Sequence, residues 1–109
     1  MQQIPRKYLC DTMTVRDPDL SANYEGEYLD PYTVNHIRYE PSETLNPAKY
    51  KLSDGAKGRI FIDAVNSDPA KTPEIGAKVS INDSIDMRVL TVTALKDVNR
   101  LHHWEVDVG

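Results

Sequence analysis

Apolar residues recur at every second position in run after run of this chain, and Pro, Gly and Asx residues fill the gaps between the runs. A period of two sends successive side chains to opposite faces of a pleated ribbon, so the chain is patterned for strands rather than helices. Six runs carry the pattern: residues 8–16, 32–40, 59–64, 78–81, 87–95 and 101–108. Short strands with frequent turn signals predict a mainly β fold, a small antiparallel β-barrel or sandwich of about six strands with one long inter-strand loop.

The runs differ in informative ways. Residues 8–16 put Cys10, Thr12 and Thr14 on one face, while Leu9, Met13 and Val15 break strict alternation. Residues 32–40 set Val34, His36 and Arg38 against Thr33, Asn35, Ile37 and Tyr39; both faces are mixed, which suits an edge strand. In residues 59–64, Ile60 and Ile62 oppose Arg59, Phe61 and Asp63. Asp63 and Asn66 have the composition of a catalytic or metal-binding pair, but Asx residues at strand ends more often bond their own backbone. Residues 78–81 and 87–95 read as a hairpin, the second strand apolar on both faces and therefore central. In the last run Leu101, His103, Glu105 and Asp107 share one face and His102, Trp104, Val106 and Val108 the other. The adjacent histidines then point apart and cannot hold one metal ion together; Trp104, Val106 and Val108 pack inward, and His103 hydrogen-bonds or faces a neighbouring subunit.

Two connections stand out. Residues 17–31 contain two Asp-Pro steps and a glycine and read as a hairpin tip. Their acidic content invites a calcium-loop reading, yet Ala22 stands where the turn glycine is needed and Tyr28 where a bidentate Glu belongs. Residues 42–57 form the long loop, broken by Pro47, Gly55 and the following Gly58, with room for one short helical turn or strand at residues 48–52. Loops longer than about 12 to 15 residues in compact domains are usually functional or disordered.

The 109 residues fit one domain, residues 1–109, with a single modest core. Hydrophobic residues at 39% and charged ones at 28% leave that core thin and point to surfaces completed by partners. With 17 acidic and 13 basic residues the formal charge is -4, and no basic run interleaved with aromatics is present, so sequence-specific DNA binding is not expected. A lone Cys10 forms no internal disulfide and no CxxC pair exists, which favours a reducing compartment. No stretch reaches the roughly 18 apolar residues of a membrane span, and the first residues do not read as a signal peptide. Nucleophile-elbow, phosphate-loop and zinc-protease motifs are missing, so nothing in the sequence requires an enzyme, a cofactor or a metal. Asn82-Asp83-Ser84 matches a glycosylation acceptor, which has no meaning without secretion.

Several segments taken together carry a family likeness: Ile4-Pro5-Arg6-Lys7, His36-Ile37-Arg38-Tyr39-Glu40-Pro41, Phe61 to Ser67, Gly76-Ala77-Lys78-Val79 and the ending Leu101-His102-His103-Trp104-Glu105. With them the chain resembles the small minor capsid proteins of tailed phages and prophages of Gram-positive bacteria, similar in size and setting to head-completion or stopper proteins. The resemblance implies a structural virion protein of the head-tail connector, a ring homo-oligomer below the portal and its adaptor, with a monomer allowed when free. That ring would close the DNA channel after packaging and give the tail a surface to dock on. It implies the portal adaptor and tail-completion proteins as partners, DNA passing without sequence-specific binding, no membrane contact, and a location in the virion neck after assembly in the host cytoplasm. The loop placed to close the channel carries Ser42, Glu43, Lys49, Tyr50, Lys51, Asp54 and Lys57. Lys49, Lys51 and Lys57 would meet DNA phosphate or acidic neighbours, and Glu43 and Asp54 would pair within the ring; His103 and Trp104 are candidates for subunit or core contacts. Three rival readings remain: a tail-completion protein, a non-virion β-barrel interaction module, and a small barrel binding single-stranded nucleic acid, which would need exposed aromatics and cations on one face.

Overall fold

In the computed structural model, which describes residues 4–21, 27–43, 52–98 and 100–109, six strands close on one another. They are β1 (Asp11–Arg16), β2 (Tyr32–Pro41), β3 (Gly58–Asp63), β4 (Lys78–Ile81), β5 (Met87–Asp97) and β6 (Arg100–Val108). The order around the barrel is β1-β2-β3-β6-β5-β4, every neighbouring pair is antiparallel, and pairing from Met13–Ile81 to Arg16–Lys78 closes the ring. The expected small β-barrel therefore forms, with one inward side chain from nearly every apolar position of the pattern. Met13, Val15, Val34, Ile37, Ile60, Ile62, Val79, Val106 and Val108 are fully enclosed, and Tyr39, Val92 and Trp104 pack against them. Each enclosed aliphatic side chain contributes about 1.5–3 kcal/mol, which is what this thin core rests on.

Four strand readings are corrected. The first strand starts at Asp11, because Pro5 and Arg6 carbonyls accept from the Tyr8 and Leu9 amides and wind residues Arg6–Tyr8 into a 3-10 turn. Leu9, Met13 and Val15 do not break the pattern, since all three are buried. β2 is not an edge: β1 pairs with it on one side and β3 on the other. Its mixed faces come from an irregularity at His36, where φ is +59° and the β1 register jumps from Asp11–Ile37 to Met13–Val34. The additional residue on β2 swaps the inward phase from Val34 to Ile37. β5 is central only at its start; it pairs with β4 at Met87 and Arg88 and thereafter, among the described residues, with β6 alone. The β4–β5 hairpin itself forms as read, turning at Asn82 and Asp83, whose φ values of +50° and +61° and the Ser84 N–H to Ile81 C=O bond make a type I′ turn.

Antiparallel closure sorts the connections by end. One end carries the β1–β2, β3–β4 and β5–β6 connections; the other carries β2–β3 and β4–β5 together with the start of β1 and the end of β6.

Candidate functional site

The long β2–β3 connection leaves the barrel at Ser42 and returns at Lys57, and the Ser42 amide donates to the Lys57 carbonyl at 2.7 Å, so its two ends are tied together. Lys57 in turn donates its amide to the Val108 carbonyl at 2.7 Å. Ser42, Glu43, Asp54 and Lys57 are all exposed at this root, whereas Lys49, Tyr50 and Lys51 lie outside the described residues, as does most of the predicted turn at residues 48–52. Glu43 stands close enough to Tyr39 for its charge, after burial, to push the phenol pKa up.

The returning limb of the loop is fixed by a network that the sequence reading missed. Ser53 donates both its amide and its hydroxyl to Asp107 Oδ2, each at 2.9 Å, and its hydroxyl also meets Thr91 Oγ1 at 3.1 Å. Arg59 holds the same carboxylate from the other side, Nε to Oδ1 at 2.7 Å and Nη2 to Oδ2 at 3.3 Å, and reaches Glu105 Oε1 through Nη1 at 2.9 Å. Asp107 is only 3% exposed although it points out of the barrel. Burial alone would raise its pKa; the Arg59 hydrogen bonds and those from Ser53 outweigh that and hold the carboxyl below its usual range. Gly55, at φ +81°, makes the bend between this anchor and β3, and the Ala56 amide bonds back to the Ser53 carbonyl. The returning limb therefore has a rigid footing on β6 and β5.

β6 also corrects the reading of its histidines. The β5–β6 register shifts between Leu95–His103 and Lys96–Leu101, leaving His102 as an additional residue, and the two rings turn toward each other. Their Nδ1 atoms lie 2.6 Å apart with the ring planes at 80°. One Nδ1 must donate and the other accept. His103 Nε2 meets Glu105 Oε2 at 3.2 Å, which continues the chain to Arg59 and Asp107. Thus His103 hydrogen-bonds within the chain, and Trp104 packs on the core as expected. Among the described residues no three His, Cys, Asp or Glu side chains converge as a metal site.

Asp63 behaves as the turn residue it was expected to be. It is fully buried, and its carboxylate accepts from the amides of Ile4 (3.1 Å), Val65 (2.9 Å) and Asn66 (2.7 Å). Asn66 Nδ2 donates to the Ile4 carbonyl at 2.9 Å, and Ser67 accepts from the Asp63 amide while donating to the His36 carbonyl at 2.6 Å. The segment from Phe61 to Ser67 thus clamps both the start of the described chain and the irregularity in β2. Beside it lies an open groove of about 290 Å³ whose lining includes Cys10, Asp11, Asn35, His36 and Asp68. Asp11 there is already engaged by the Tyr39 amide and Asn82 Nδ2, both at 2.9 Å.

At the end opposite the long loop, the connections carry Leu20, Leu29, Val65, Ile75 and Val98, five of the seven exposed large hydrophobics among the described residues. The described residues of the β1–β2 connection in the same place include Asp17, Asp19, Glu27 and Asp30 and no basic residue. The described tyrosines of this region are in contact with lysines: Lys71 Nζ lies 4.1 Å from the Tyr32 ring and Lys78 Nζ 4.8 Å from that of Tyr28. No helix among the described residues is long and apolar enough to cross a membrane.

A family model described as minor capsid protein matches residues 5–108 of the chain. No curated protein and no solved structure matches it.

Proposed function

From the premise that the chain belongs to the minor capsid protein family, a family of structural virion proteins, we propose that its place is the phage head-tail connector. There it forms a ring below the portal and its adaptor, closes the DNA channel after packaging, and offers the tail a docking surface. The portal adaptor and the tail-completion protein are its neighbours, and the packaged DNA passes without base-specific contact.

The observation that carries this reading is the footing of the long loop. A gate that resists DNA under pressure needs a loop with a fixed root, and Ser53, Asp107, Arg59 and Glu105 supply one at the returning limb. The acidic, knobbed end opposite suits the second job, docking, because it repels DNA while offering apolar side chains to a protein partner. Ring contacts are heterologous and close when the rotation per subunit fits.

Electron microscopy of particles from a phage or prophage lacking this gene alone, with packaged DNA assayed in parallel, tests the reading. Heads that fill and then leak, beside free finished tails, are expected. Full heads that keep their DNA but lack tails would move the protein to the tail-completion position, and normal tailed particles would overturn a neck role.

A further inference from the structure

Beyond Val89, β5 runs on as the edge of the sheet β3-β6-β5, and its outer side faces no strand among the described residues. At the start of this edge, Arg88 exchanges both backbone bonds with Gly109, and Val89 bonds Gly76 and Ala77 on the β4 side. Past that point no backbone hydrogen bond reaches β5 from the β4 side among the described residues. The even-numbered β6 residues Val108 and His102 direct their carbonyls to Lys57 and Ala64, on the β3 side. Val92 and Ala94, opposite Val106 and Trp104, accordingly turn their own N–H and C=O groups to the open edge. A long open edge is normally blunted by proline or charge. Here the edge runs Leu90, Thr91, Val92, Thr93, Ala94, Leu95, and its first charge is Lys96 near the tip.

We infer that this edge pairs with the same edge of a second copy of the chain, antiparallel and centred on Thr93, so that β6-β5-β5-β6 run on as one sheet across a two-fold axis. The register suits self-pairing: Thr93 meets Thr93, Ala94 meets Val92, Leu95 meets Thr91, and Lys96 meets Leu90, so no like charges stand opposite. Thr93 and Ala94 are exposed in the single chain and available for this contact. A two-fold pair closes on itself and does not propagate into a ring. The dimer is thus a state of the free protein, independent of the connector reading.

Ala94→Pro tests it. Proline at a position whose N–H faces outward leaves the β5–β6 ladder intact and blocks an added strand. Light scattering on eluting full-length protein across a dilution series should show a dimer for the parent chain and loss of the dimer for Ala94→Pro, with unchanged circular dichroism. If the proline variant fails to fold, Ala94→Lys, a change at an exposed side chain, gives the same readout by charge repulsion. In the parent dimer the Val92 and Ala94 amides should resist hydrogen exchange. A parent that is monomeric at every concentration, or a dimer that survives folded Ala94→Pro or Ala94→Lys, overturns the inference. So does protection of those amides only within assembled particles, which would assign the edge to a different chain. None of these results touches the deletion experiment, so the two readings fail separately.

Discussion

Asp63 is sealed from solvent and serves three backbone amides at once, so its replacement has a cost that can be stated in advance. Asp63→Ala leaves those donors buried without partners and should destabilise the chain by about 3 kcal/mol, within the range for lost buried hydrogen bonds. Asp63→Asn, which sets an amide NH₂ against at least one N–H, should also lose stability; urea unfolding with an unchanged slope for both variants checks this. Asp107 makes a pH-dependent contribution of known sign. Its folded pKa is depressed because Arg59 and Ser53 outweigh burial, so its stabilisation is complete above the unfolded value of about 3.9 and is lost as pH falls through the lower folded one. Asp107→Asn should therefore be less stable than the parent at neutral pH, and the gap should narrow as the solution is acidified below about pH 4. A gap that stays constant with pH would show that the charge does not matter. Neither role was fully legible in the sequence. Asp63 at the end of an apolar run advertised a turn, whereas the Ser53–Asp107 contact joins residues far apart in the chain and exists only through the β3–β6 and β5–β6 registers.

Among the elements, strands were legible because a period of two is a local property, and β4 was bounded to the residue. What the sequence hid was phase. The irregularities at His36, Leu90 and His102 each insert one residue, which flips every later side chain to the other face without changing composition. Mixed faces in residues 32–40 and 87–95 were the trace of such flips, and reading them as edge or centre mistook a shift in phase for a position in the sheet. The same effect brings His102 and His103 together where strict alternation separates them. The β5–β6 turn carries a further cost, since Val98, a β-branched residue, sits at φ +44° and is fully outside the core. Left-handed backbone costs a side-chain-bearing residue roughly 1–2 kcal/mol, so Val98→Gly should stabilise the chain by about 1 kcal/mol and raise its melting temperature by several degrees. No change would mean that the valine packs against something that offsets the strain.

Taken as one object, the barrel separates two surfaces by its length: a long loop with a fixed returning limb at one end, and acidic connections bearing Leu20, Leu29, Val65, Ile75 and Val98 at the other. If closing the channel and joining the tail are the jobs of a connector ring, this separation makes them independently removable. Replacing residues 44–51 by a short Gly-Ser linker leaves the Ser42–Lys57 bond and the Ser53 anchor in place, and loop length itself costs little, roughly 0.6 kcal/mol per doubling. That variant should fold, enter particles and still join tails, yet fail to retain packaged DNA before the tail is attached. Leu20→Ser with Leu29→Ser changes two exposed side chains whose loss leaves the core untouched. That variant should retain DNA and accumulate tailless heads. Complementing the deleted gene with each variant, then counting tailed particles and measuring nuclease-resistant DNA, reads both functions in one experiment. If both variants lose both functions, the two ends do not divide the work, and the loop must act by holding the ring together, since a subunit that cannot assemble loses the gate and the docking surface at once.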